Sequence, residues 1–353
     1  MTLTFRRFDL KLRHTWAIAS DVTTGGKNFY PVVFVELEDG QGRRGVGEGA
    51  PSSRYKESTD TVIAFLRRVE ASRLSFDDVA GSMAYLESVA PGNYPAKTAV
   101  NLALLDGAAK AARKSVCEFL NLGFTEGRHV TSLTIGIDRP EMVRQKVREA
   151  EDFPVLKVKL GSPDDRALFA AVREVAPHKP IRVDANEGWP KKEDALHRIE
   201  WLAAEGNVQF VEQPMPAASD PNDLAWLKAR SPLPLFGDES YHHPSQAALA
   251  AECFHGVNVK LVKTTGLSGG LEALRAARQL GLKTMLGCMI ESSVLISAAA
   301  HLAELTDYLD LDGNVLITND PFRGVRTADG LMSFAGAPEL FGLRVQSADG
   351  SGN

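Results

Sequence analysis

From residue 130 onward the chain repeats one unit eight times. Short β-rich segments begin near Val130, Val155, Pro180, Val208, Pro234, Val257, Lys283 and Tyr308, 23 to 28 residues apart. Alanine- and leucine-rich stretches, such as 164–175 and 270–280, fill the gaps and read as helices. A strand-then-helix unit at this spacing predicts parallel strands joined by right-handed crossovers. Eight units predict a closed (β/α)8 barrel of the TIM type, with an open doubly wound sheet as the competing arrangement.

The residues upstream have a different rhythm. Residues 3–12 alternate as a strand. Residues 29–48 read as an antiparallel hairpin turning at Asp39-Gly40. Helical patterns follow over about 59–69 and 95–120. Strands followed by helices predict a small α+β unit. The expected division is therefore an α+β cap over 1–125, a modified barrel over 126–320, and a segment over 321–353 that returns to the cap.

Composition narrows the function. With 40 Lys+Arg against 45 Asp+Glu, the net charge is −5 and no basic stretch stands out. That argues against a nucleic-acid groove or an anionic membrane surface. No apolar run reaches the roughly 20 residues of a membrane-spanning helix. The first residues alternate as a strand and show no signal-peptide core. Cys117, Cys253 and Cys288 are odd in number and far apart, which predicts neither a disulfide framework nor a zinc cluster. A cytoplasmic protein with a small-molecule substrate is expected.

In such barrels the chemistry sits at the C-terminal ends of the strands. The second segment ends in Lys157-Val158-Lys159. Lone lysines two apart are ordinarily a solvated strand face, but both faces of a barrel strand are buried, so here two ammonium groups need a reason. Asp184, Glu212 and Asp238 end the next three strands. Each alone could be a helix cap. Together they form an arc of hard oxygen ligands suited to Mg²⁺, and without a cation they would repel one another. The sixth segment carries Lys260 and Lys263, of which Lys263 is preferred as lying nearer the strand end. Asp310 and Asp312 share a face of the eighth strand, although Asp312-Gly313 also reads as a turn. The glycine-rich stretch 266–270 lacks the order of a phosphate loop. His242-His243 is expected to be solvated, and His301 to be structural.

These strand ends together resemble the enolase superfamily, within its muconate-lactonizing-enzyme-like subgroup. The resemblance covers nearly the whole chain and implies a capping domain over a modified TIM barrel. Asp310-Leu311-Asp312 resembles the D-x-D of dipeptide epimerases, where two carboxylates hold the substrate's α-ammonium group. Residues 287–292 look like that family's seventh-strand segment and put Cys288, Met289 and Ile290 near the substrate. Thr134 matches a substrate-contacting threonine. Cap loops at 17–27 and 52–55, with Asp21, Lys27 and Arg54, correspond to the specificity loops.

The resemblance implies epimerisation of a dipeptide, of the L-Ala-D/L-Glu type or a related one, at the α-carbon of its C-terminal residue, by a homo-oligomeric enzyme with one Mg²⁺ per subunit. Asp184, Glu212 and Asp238 would hold the metal. Lys159 and Lys263 would exchange protons on opposite faces, with Lys157 or the metal as the nearby cation that favours a neutral base. Other subgroup reactions, cycloisomerisation or o-succinylbenzoate synthesis, are the alternative, and their substrates would give the D-x-D no ammonium partner. A Schiff-base aldolase and a non-enzymatic Mg²⁺-binding protein are more distant readings.

Overall fold

The computed structural model describes residues 1–21 and 24–349. Three antiparallel strands open the chain: β1 (Thr2–Trp16), β2 (Lys27–Glu38) and β3 (Arg44–Gly49), in the order β1-β2-β3. Four helices follow: α1 (Thr59–Leu66), α2 (Val79–Val89), α3 (Tyr94–Ala111) and α4 (Val116–Phe119). The alternation of β2 sets its two faces. Val33, Val35 and Leu37 pack with α1 and α3, whereas Val32 and Phe34 join the main core. Glycines at 45, 47 and 49 leave one face of β3 flat. A Cβ at Gly47 would fall on the Ala99 carbonyl, so α3 can lie directly on the strand.

Helix α3 is buried nearly all round, which explains its alanine-rich sequence. Its far side meets the barrel, where Thr98 Oγ1 donates to the Leu261 carbonyl at 2.9 Å and Asn101 Nδ2 to Ser268 Oγ at 2.8 Å. The single helix expected over 95–120 is two. Arg113, at φ 53°, breaks the path, and Ser115 caps α4 with a reciprocal bond to Glu118.

The eight repeats form one parallel sheet. Strands β4 (Leu133–Ile135), β5 (Leu156–Lys159), β6 (Ile181–Asp184), β7 (Val208–Glu212), β8 (Leu235–Gly237), β9 (Gly256–Lys260), β10 (Lys283–Gly287) and β11 (Tyr308–Asp310) pair in sequence order. A parallel bridge between Thr131 and Leu309 brings the two edges together as a barrel. Helices α5 (Pro140–Glu149), α6 (Asp165–Val175), α7 (Lys192–Glu205), α8 (Pro221–Arg230), α9 (Ala247–Cys253), α10 (Gly266–Gln279) and α11 (Ser293–Ala300) follow β4 to β10. Among the described residues β11 is followed by loop and short strands, so the eighth unit lacks its helix.

Those last residues run back to the cap. Arg13 donates its amide to Leu316, Val116 to Gly342, and Gly342 to Lys114. The buried Asp106 carboxylate on α3 accepts from Val46 N at 3.0 Å and Leu343 N at 2.8 Å, so it joins the beginning and the end of the chain.

Strand register stacks the inward side chains in layers. Arg182, Phe210, Phe236, Met285 and Tyr308 form the lower one. The Phe210 and Phe236 rings stack at 4.3 Å, and Arg182 lies over Phe210 and Tyr308. This plug closes the barrel floor. Two residues further along each strand, the inward layer becomes almost entirely charged.

Candidate active site

The charged layer follows from the same register. Lys159 pairs in register with Asp184, and Asp184 with Glu212. Asp238 directly follows β8. Carboxylate oxygens of Asp184, Glu212 and Asp238 lie within 4.8 Å of one another, and all three residues are buried. Neither Glu212 Oε2 nor Asp238 Oδ2 makes a well-aligned hydrogen bond, although the Lys157 and Lys260 ammonium groups lie 2.7 Å away. Three converging buried carboxylates, hard oxygen donors of which two keep an oxygen free of a well-aligned hydrogen bond, fit a divalent cation. Asn258 Nδ2 holds the other Glu212 oxygen at 2.7 Å. Gly287 makes room for that amide, since a Cβ there would strike it.

The carboxylates differ in proton affinity. Burial raises Asp184, but Lys159 and Lys157 outweigh it and hold the group down at about 2. Glu212 goes the other way. Burial and the neighbouring Asp184 push it up to about 7 against the pull of Lys157. Asp238 is held well below the ordinary range because Lys260 and Lys263 overcome its burial.

Lys157 stands within 3.1 Å of Asp184, 2.7 Å of Glu212 and 2.7 Å of Asp310. Burial works against its charge, yet the surrounding carboxylates, Asp310 foremost, hold it well above the usual lysine range. It is a fixed cation at the centre of the charged layer. Lys159, two residues on, reaches Asp184 at 2.7 Å and lines the cavity above.

The sixth barrel strand corrects the expectation for Lys263. β9 ends at Lys260, and residues 261–263 form a 3-10 turn, so strand alternation does not extend to Lys263. Its ammonium is buried and bonded to the Asp238 carboxylate and to the Asp238 carbonyl at 2.6 Å. It does not line the cavity that Lys159 lines. Lys260 does, from the same strand face as Asn258. The structure thus brings Lys260, not Lys263, to the mouth opposite Lys159. Asn258, two residues before it, was the sign in the sequence, since a buried amide that holds a carboxylate marks the inward face.

The cavity above the layer has a volume of about 410 Å³. Thr134, Cys288, Met289, Ile290, Asp310 and Asp312 line its wall. Asp310 is already paired with Lys157 and accepts from Ser132 Oγ at 2.8 Å. Among the described residues the donors to Asp312 are neutral, Thr134 N at 2.6 Å and the Cys288 thiol at 3.7 Å. Burial and the adjacent Asp310 push Asp312 up to about 6. A buried carboxylate with neutral donors has the capacity to take a cationic partner.

The cap closes the mouth. Trp16, Ala19, Asp21, Lys27, Ser52 and Arg54 come from its two loops. Arg54 is paired with Glu187 on the loop after β6, and Tyr55 sits edge-on to His242 at 4.9 Å. His242 is therefore half-buried rather than solvated: its Nε2 lies 3.0 Å from the Glu239 carbonyl. His301 is structural, stacked on Phe334 and accepting from Cys117 N. The pairings of Arg54 with Glu187 and of Asp312 with Thr134 were not legible beforehand, because both depend on which loops meet.

Residues 10–121 match the model of the mandelate racemase/muconate lactonizing enzyme N-terminal domain, and residues 141–327 the enolase C-terminal domain-like model. The chain belongs to this family of enzymes, in the enolase superfamily. It is 58% identical to the L-Ala-D/L-amino acid epimerase of Pedosphaera parvula, over 98% of this chain and all of that one. It is 37% identical to the L-Ala-D/L-Glu epimerase of Bacteroides thetaiotaomicron, over 98% of this chain and 88% of that one. A dipeptide epimerase from Cytophaga hutchinsonii, solved with Mg and D-Ala-L-Val, superposes with a TM-score of 0.89 at 26% identity, covering 99% of this chain and 96% of that one.

Proposed function

We propose that the protein is a Mg²⁺-dependent dipeptide epimerase that inverts the α-carbon of the substrate's C-terminal residue, with Lys159 and Lys260 as its two bases. The observation that supports this reading is that both lysines line one cavity together with Asp310 and Asp312, from strands four apart in the eight-stranded barrel that also carries the acidic triad. The relatives supply the substrate class, a dipeptide that begins with L-alanine.

Asp184, Glu212 and Asp238 would hold the metal. When bound, Mg²⁺ supplies positive charge that stabilises the substrate carboxylate as the α-proton leaves. The chain's own residues do the rest. Asp312, with Asp310 beside it, binds the α-ammonium group. One lysine, as the free amine, takes the proton from one face of the α-carbon. The other, as the ammonium, returns a proton to the opposite face. Both lysines are buried, which keeps competing water from the carbanion. A substrate without an amine would leave Asp312 short of a cation, which disfavours cycloisomerisation and o-succinylbenzoate synthesis.

The direct test is α-proton exchange in D₂O, followed by mass spectrometry, on L-Ala-L-Xaa dipeptides with and without Mg²⁺. Deuterium should enter the second residue only when Mg²⁺ is present, and both epimers should accumulate. Exchange without inversion would remove the two-base mechanism.

A further inference from the structure

The barrel mouth carries two ion pairs, Arg54–Glu187 between cap and barrel and Lys27–Asp21 within the cap, and both share one pattern of exposure. Arg54 is 47% exposed, while its partner Glu187 is 15% exposed. Lys27 is 45% exposed, and its partner Asp21, 3.8 Å away, is 14% exposed. In each pair the cation is the more exposed member and the carboxylate the more buried one.

Glu187 is also the more firmly held. Residues 186 and 187 both have positive φ, 41° and 67°, an unusual conformation for two consecutive side-chain-bearing residues. The Glu187 amide donates to the Gln213 carbonyl at 2.8 Å, and Ala217 N donates to Glu187 Oε1 at 2.7 Å. That leaves Glu187 Oε2 for Arg54 Nε, at 2.6 Å. The cap loop beside it is seated as tightly. A Cβ at Gly161 would meet Ala19 Cβ at 3.0 Å and Gly188 Cα at 3.1 Å. Glu187 is thus a fixed negative charge, and Arg54 an exchangeable counter-ion lying over it.

With the substrate carboxylate at the triad and the ammonium at Asp312, the remaining direction from the α-carbon is toward the cap. We infer, on the basis of the epimerase reading, that Glu187 selects the side chain of the second residue and favours a cationic one, such as lysine or arginine, over glutamate. A cationic side chain takes the place of Arg54 on Glu187, and Arg54 turns into water at little cost. An acidic side chain must draw Arg54 away and leave a partly buried carboxylate unpaired, which is the costlier exchange.

The test compares kcat/KM for L-Ala-L-Lys, L-Ala-L-Leu and L-Ala-L-Glu, read as α-deuterium incorporation. In the wild type the lysine dipeptide should exceed the glutamate one by about tenfold or more, the scale of one charge-assisted hydrogen bond. Glu187→Gln should collapse that ratio, and Arg54→Ala should raise it, with the leucine dipeptide as the reference in each variant. If Glu187→Gln fails to fold, the direction of change in Arg54→Ala decides alone, and a fall overturns the assignment. A wild-type ratio of one or less overturns the preference and leaves the epimerase reading standing. No exchange with any of the three overturns both.

Discussion

Glu48, at the end of the cap sheet, caps the first turn of a barrel helix. Its carboxylate accepts from Ser292 Oγ at 2.6 Å, from Ser292 N at 3.0 Å and from Leu295 N at 3.2 Å. The residue is fully buried, so cap and barrel are joined by a polar contact that water does not reach. The seventh-strand loop with Cys288, Met289 and Ile290 lies immediately before it, and the joint therefore positions one wall of the active site.

Glu48→Ala should leave three buried donors without an acceptor and destabilise the protein by about 2–4 kcal/mol in chemical denaturation. The contribution is also pH-dependent. Burial pushes Glu48 up to about 7 despite the Ser292 hydroxyl, from an ordinary value of 4.5. The folded state then binds the proton more tightly than the unfolded chain. This stabilisation is complete below 4.5 and is lost as pH rises through about 7. Glu291, raised by burial to about 8, acts in the same direction. Between pH 5 and 8 the wild type should lose more thermal stability than Glu48→Gln, and equal losses would remove Glu48 as the cause.

Magnesium affinity should fall with acidification. Glu212, at about 7, must give up its proton to serve as a ligand. Below that value each pH unit should weaken binding by up to about tenfold. Titration calorimetry at pH 6, 7 and 8 measures this directly. A flat profile would mean that Glu212 is already ionised in the metal-free protein. Asp184→Asn and Asp238→Asn should each abolish the rise in melting temperature on adding Mg²⁺.

The lysines separate by variant. Lys159→Ala and Lys260→Ala should each stop epimerisation while keeping exchange with one epimer only, the opposite one in each case. Lys263→Ala should act instead through Asp238, which its ammonium holds, and appear mainly as weaker Mg²⁺ binding. Complete loss of exchange in Lys263→Ala at saturating Mg²⁺, with Lys260→Ala fully active, would reverse the assignment.

N-acetylating the dipeptide removes the charge that Asp312 is placed to receive. Hydrogen bonds to charged groups are worth about 1.5–3 kcal/mol each, so kcat/KM should fall by a factor on the order of 10². Asp312→Asn should narrow the gap between the free and acetylated substrates. If Asp312 served only as a turn residue, the variant would lose stability and leave that gap unchanged.

The barrel was legible because its period is carried by short-range pattern, a strand and a helix every 25 residues or so, and the triad because three acidic residues end three consecutive strands. The placement of Lys260 and Lys263 was not legible because alternation is a reliable guide only while the backbone stays extended, and the 3-10 turn that begins at Leu261 leaves Lys260 as the last strand residue and turns Lys263 away from the cavity. The single helix expected over 95–120 failed for a related reason. A left-handed residue such as Arg113 leaves no trace in hydrophobic spacing. The Arg54–Glu187 and Glu48–Ser292 contacts join residues more than a hundred positions apart, and only the packed chain decides them.

The buried Asp106 carboxylate bears on how this protein is made. One of its oxygens accepts from Val46 N and Lys110 Nζ, both within the cap, and the other from Leu343 N, which is made only after the barrel. Until then one oxygen of that carboxylate lacks its donor, on a face that the finished molecule hides. The cap, although translated before the barrel, is completed only after the barrel has been made. A truncation that removes Leu343 would therefore damage the packing of α3 on β3, 237 residues upstream at Asp106.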